Sequence, residues 1–187
     1  MKPTLILFGL LSLFSCSPKT YTSTKYFDCP TREFQATTDK QQLIFEVLKR
    51  GVVDSIDVPD YHLIKDKNNI YVSKTYYFHN SDETKTTIQE YQFEDSEIPT
   101  IIKDVRFCVK PSNQLQKIAD KIGDFVFLTF SDIDIKGDVA TIQLNTNWQV
   151  QSKPQRKAYS SGGGYLLQYK KIKGIWTFEK ILMIQIS

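Results

Sequence analysis

Paired metal ligands are missing from this sequence. It has three cysteines and two histidines, with no Cys-x-x-Cys and no Cys/His cluster, so a zinc site of the usual spacing is excluded and no metal or other cofactor is expected. Gly-x-Ser-x-Gly, the dinucleotide fingerprint and His-Glu-x-x-His are also absent, so nothing points to the hydrolase, dehydrogenase or metalloprotease chemistry those motifs carry. No block of five like charges occurs and the formal charge is only +3. That excludes the basic footprint of a nucleic-acid-binding surface. The longest apolar run, Leu5 to Phe14, is half of the roughly 20 residues that a membrane-spanning helix needs.

That short run has a different use. Lys2 precedes it and Ser15-Cys16 closes it, which is the layout of a secretory leader with its basic start, apolar centre and small residue at the cut. Leu13 and Cys16 resemble the lipobox of bacterial lipoproteins. The resemblance implies a diacylated Cys16 and removal of residues 1–15. It also implies that Ser17, standing where an Asp would retain the protein at the inner membrane, sends it to the outer one. Two acyl chains suffice for stable attachment, at about 0.8 kcal/mol per buried methylene. The plain alternative is an ordinary secretory leader with a chance cysteine at its end. Loss of the leader leaves 172 of the 187 residues and a formal charge of +2, enough chain for one domain with a sizeable core.

Residues 16–35 lack periodicity and carry Ser, Thr, Lys, Pro18 and Pro30, the composition of a tether. Residues 36–187 then read as a single α+β domain. Thr38 and Gln41 have capping-box spacing, and Leu43, Ile44, Val47, Leu48 and Val52 form one helical stripe that Gly51 and Pro59 should end. Extended patterns follow over Ile70 to Phe78, Thr86 to Phe93 and Ile101 to Val109, with a polar loop at Asn80 to Lys85. A second short helix is expected over Asn113 to Ile122, stopped by Gly123. Four long strands close the chain: Phe125 to Ile135, Val139 to Val150, Gly164 to Lys171 and Ile175 to Ile186. Turns at Lys136-Gly137-Asp138 and Lys173-Gly174 make them an antiparallel meander.

This order resembles the cystatin-like/NTF2-like α+β folds, in which an N-terminal helix lies across a curved, mainly antiparallel sheet. The ending Gly162-Gly163-Gly164-Tyr165, Lys170, Gly174 and Trp176 also resembles that of many bacterial lipoproteins. The similarity covers residues 125–187 and implies architecture rather than activity. A β-sandwich or barrel with one helix attached is the alternative.

Candidate sites follow from residue type. In a cone-shaped fold, Asp57, Asp60 and His62 can face the pocket, where an Asp/His pair acts as a general base once burial raises the carboxylate; a solvated loop beside Pro59 is the plain reading. Tyr71, Tyr76 and Tyr77 are candidate binding residues, against strand aromatics that merely pack a sheet. With Cys16 lipidated, Cys29 and Cys108 can form a disulfide in an oxidising compartment, or stay a free thiol and a buried one. Ser160 to Gly164 lacks the Lys and the helix of a phosphate loop and reads as a flexible turn and bulge. Asp132, Asp134 and Asp138 are too few for a calcium loop and read as a solvated face.

The resulting expectation is a membrane-anchored envelope lipoprotein with its domain in the periplasm. It would be a non-enzymatic module that binds a small ligand or an envelope protein. The alternatives are an NTF2-like enzyme using the Asp/His base, and a structural accessory of an envelope complex.

Overall fold

A computed structural model describes residues 27–56, 64, 66–82, 85–152 and 162–186. The first helix, α1 (Asp39–Leu48), begins where its capping residues dictate. Thr38 Oγ1 accepts from the Gln41 amide at 3.2 Å, and Gln41 Oε1 accepts from the Thr38 amide at 3.0 Å, so two otherwise unpaired backbone donors are satisfied reciprocally. Gly51 does not end the helix. A π-helical turn, Lys49–Val53, continues through it. Gly51 is buried and Val52 is fully buried, so core packing outweighs the poor helical propensity of glycine. The Asp54 amide donates to the Lys49 carbonyl at 2.8 Å and closes the turn.

Among the described residues nine strands form one open sheet: β1 (Asn69–Ser73), β2 (Thr75–Asp82), β3 (Lys85–Gln92), β4 (Ile101–Ile102), β5 (Val105–Lys110), β6 (Phe125–Lys136), β7 (Val139–Gln149), β8 (Gly162–Ile172) and β9 (Ile175–Ile186). The main path runs β4-β5-β1-β6-β7-β8-β9, and the β2–β3 hairpin joins through β2 and β6. The meander β6–β9 is antiparallel throughout. The sheet is therefore neither a sandwich nor a closed barrel.

The earlier half departs from simple succession. The expected single strand over Ile70 to Phe78 is two strands broken at Lys74, where Ser73 Oγ accepts from the Thr75 amide at 3.1 Å. β1 lies between β5 and β6, parallel to both, and β2 then takes its place beside β6. Of the polar segment expected as a loop, Asn80, Ser81, Asp82 and Lys85 are strand residues, because β2 and β3 pair out to Asp82 and Lys85. The expected strand over Ile101 to Val109 is likewise divided, by a tight turn with Lys103 at φ 52°.

α1 fills the inner face of the sheet. Leu43, Ile44, Val47 and Leu48 are fully buried in one cluster with Phe130, Ile142, Leu144, Leu167, Tyr169 and Trp176. These side chains pack the space between helix and sheet. The second helix, α2 (Ser112–Ile122), ends at Gly123, whose φ of 96° suits glycine. It covers part of the opposite, outer face. There Leu115 and Ile118 pack with Phe27, Tyr71, Phe125 and Phe127. Cys108 belongs to this cluster and is bridged to Cys29, with Cα atoms 5.6 Å apart. The bridge pins the chain entering the domain against the sheet. No described helix is long and apolar enough to cross a membrane.

Candidate functional site

α1 covers the inner face, whereas α2 leaves part of the outer face uncovered. Strand alternation places Gln143, Asn145, Asn147 and Gln149 of β7 on the outer face. Their cross-strand partners are Ser131, Thr129, Phe127 and Phe125 on β6, and Leu166, Gly164 and Gly162 on β8. Gln185 and Met183 of β9 extend the face beyond β8. Tyr77 of β2 extends it on the other side, in register with Ser131.

These side chains form a polar layer of short hydrogen-bonded groups. Asn147 Nδ2 donates to Thr129 Oγ1 at 2.7 Å, and Asn145 Nδ2 to Ser131 Oγ at 3.3 Å. Gln143 Nε2 donates to Asn145 Oδ1 and to Gln185 Oε1, both at 2.7 Å. Gln143 and Ser131 are buried; Asn145, Asn147 and Thr129 are half-buried. The α2 end is tied to this layer by Gln149 Nε2, which donates to Gln116 Oε1 at 2.7 Å.

Glycine makes the layer possible. Gly162 to Gly164 are not a turn or a bulge but regularly paired strand residues. A Cβ on Gly164 would overlap Asn145 Oδ1, and one on Gly162 would overlap the Thr146 carbonyl oxygen. The Asn145 amide therefore lies in the space that a side chain on β8 would take, which is the close approach that strand glycines permit.

At the edge of the layer β6 bulges between Ser131 and Asp134, and Asp132 adopts φ 51°. A bulge re-aims a side chain, and here the Asp132 carboxylate accepts from the His79 amide at 2.8 Å. Both its oxygens also lie 3.0 Å from His79 Nδ1. Asp134 pairs with Lys136 instead, at 2.6 Å, so these acids do not converge. No group of three or more His, Cys, Asp or Glu able to hold a metal ion exists among the described residues.

The three tyrosines named from the sequence do not share a face. Tyr71 is 6% exposed beneath α2, between the rings of Phe27 and Phe125 at 5.0 Å each; burial pushes its phenol pKa up. Tyr76 points to the inner face, stacking on Phe93 at 4.4 Å and accepting from Lys40 Nζ at 2.9 Å. Tyr77 alone lies on the outer face in solvent, 39% exposed. Alternation along the strand separates the neighbours Tyr76 and Tyr77. Cys16, Asp57, Asp60 and His62 lie outside the described residues. The amide row was not singled out from the sequence. Its signal was present in the spacing Gln143-x-Asn145-x-Asn147-x-Gln149 opposite a glycine run.

A depression of about 250 Å³ lies between residues 32–35 and the loop 95–100. Arg32 exchanges two hydrogen bonds with Thr100 Oγ1 there, at 2.8 and 3.0 Å, and reaches Asp95 at 3.7 Å. This is the seam where the entering chain docks. Comparisons with protein-family models, with curated proteins and with solved structures return no match.

Proposed function

We propose that this chain is a lipoprotein of the cell envelope, held at the outer membrane through diacylated Cys16. In this reading its periplasmic domain is a non-enzymatic module that binds a small ligand or an envelope protein. The observation that carries the binding part is the contrast between the two sheet faces. The inner one is filled by α1, whereas the outer one presents Tyr77, Asn145 and Asn147 on paired, interior strands. A rigid sheet holds such side chains in place without cost at the moment of binding. The helix on one face and the C-terminal meander also favour placing the domain with the cystatin-like/NTF2-like folds. The disulfide suits an oxidising compartment.

Mass spectrometry of the N-terminal peptide from membrane fractions tests the anchor. The expected species begins at Cys16 and carries diacylglycerol. An unacylated chain beginning at Met1 in the soluble fraction would remove the reading.

One second reading has an observation of its own. β9 is an edge strand of the sheet, and Leu182, Met183 and Ile184 on it are exposed. An apolar edge can accept a strand from another chain, which suits a structural accessory of an envelope complex. The enzyme alternative rests on Asp57, Asp60 and His62 and has no such support.

A further inference from the structure

The outer amide layer also indicates what kind of ligand it would take. We propose that it is a binding site for a neutral oligosaccharide, a reading that rests on the outer face being the binding surface.

Four observations converge. First, the layer is uncharged. Its members are the amides of Gln143, Asn145, Asn147 and Gln185 and the hydroxyls of Thr129 and Ser131. The ionisable groups at its edge are Asp132 with its partner His79, Glu90, the cross-strand neighbour of Tyr77, the Asp134–Lys136 pair farther along β6, and Lys180 of β9 opposite Gln168. With no Lys or Arg in the layer, three carboxylates beside it and Lys136 already paired with Asp134, the row itself offers a phosphate or an acidic polymer no cation.

Second, both Gln143 Nε2 hydrogens are spent within the layer, but the amides of Asn145, Asn147 and Gln185 have more donor and acceptor positions than its bonds use, and each hydroxyl both donates and accepts. A vicinal diol has the same dual character, so one sugar ring can exchange several hydrogen bonds with one row. An apolar ligand would instead strip water from these amides without replacing it, at about 1–3 kcal/mol per group.

Third, all members of the layer except Gln185 lie on β6 and β7, which like β8 between them and β9 are paired on both sides. Their backbone N–H and C=O groups are already used, so an extended peptide has no ladder to join here. It would go to the β9 edge.

Fourth, Tyr77 supplies an exposed ring next to Ser131, a surface on which the C–H face of a sugar can stack. The glycines of β8 let the amides lie low, so a planar chain can cross them. Five strands from β2 to β9 at about 4.8 Å each span roughly 19 Å, room for a short run of sugar units rather than one.

The test titrates the full lipidated protein, in a detergent without a sugar headgroup, with a set of probes. These are neutral hexaoses (β-1,4-glucan, α-1,4-glucan, chitin and mannan), an acidic polygalacturonate and a neutral peptide, followed by calorimetry. The expected result is saturable binding of at least one neutral hexaose, weakened about tenfold or more by Tyr77→Ala and by Asn147→Ala. Ile172→Ala, at the far hairpin tip, should leave it unchanged. Melting curves on the same samples establish that the variants fold. No binding by any neutral hexaose at about 10 mM overturns the proposal. So does binding confined to the polygalacturonate or the peptide, and so does binding indifferent to both variants. Failure here with Tyr77 still shielded in intact envelopes would remove the saccharide and leave the outer face as the binding surface.

Discussion

Gly164 and Asn145 occupy one volume between them: the Asn145 amide lies where a Cβ on Gly164 would stand. From this juxtaposition comes a graded expectation. Gly164→Ala collides with side-chain ends, Asn145 Oδ1 and Gln143 Nε2, which can turn aside. It should cost about 1 kcal/mol through the displaced hydrogen bonds. Gly162→Ala meets the Thr146 backbone carbonyl, which cannot turn, and should cost about 2–3 kcal/mol. Thermal melts give the order. In a double-mutant cycle, Asn145→Ala should remove most of the Gly164→Ala penalty.

Gln41 holds the start of α1 more firmly than the capping threonine does. Its Oε1 accepts from the Thr37 amide, the Thr37 hydroxyl and the Thr38 amide at 2.8–3.0 Å, and its Nε2 donates to the Ser96 carbonyl at 3.1 Å. Thr38→Ala removes one cap and should cost about 1 kcal/mol. Gln41→Ala leaves several partners unmet in a buried place and should cost about 2–3 kcal/mol. Urea unfolding with an unchanged slope would establish both values.

The Cys29–Cys108 bridge closes a loop of 79 residues. Replacing both cysteines by Ala should cost about 2–4 kcal/mol, mostly through a less constrained unfolded chain. It should also release Phe27 from Tyr71. Near-ultraviolet circular dichroism reads the loss of that aromatic contact, and denaturant titration reads the stability.

Alkali should weaken the fold through two groups. Burial opposes the charge on Lys40, but hydrogen bonds to Glu97 at 2.8 Å and to Tyr76 outweigh it and raise its pKa above the ordinary lysine value. Burial likewise raises the Tyr71 phenol. Both groups hold their protons longer folded than unfolded, so the stability they lend is complete below the unfolded values. It is lost as pH climbs through the folded ones. Unfolding free energy should therefore fall above about pH 10. Glu97→Gln should lower the Lys40 pKa, read by nuclear magnetic resonance of the lysine side chains.

Local signals carried much of this fold. Thr38 and Gln41 announce α1, Gly123 ends α2, and Gly137 and Gly174 place the meander turns, because caps and tight turns are chosen by neighbours in the chain. The position of β1 between β5 and β6 was not legible. Parallel pairing joins segments far apart in sequence and leaves no turn residue to mark it. The run Gly162 to Gly164 misleads for a related reason. It reads as a turn until the Asn side chains of β7 are seen to fill its space. The split of Tyr71, Tyr76 and Tyr77 among three environments depends on the break at Lys74 and on α2. Composition alone does not foresee either.

The most direct measurement is maleimide labelling of single-cysteine variants in intact envelopes and in purified protein. Tyr77→Cys should label fully when purified and be shielded in envelopes by about tenfold in rate, while Ile172→Cys labels alike in both. Equal labelling of Tyr77→Cys in the two settings, with shielding found only for Ile184→Cys on the β9 edge, would contradict the account.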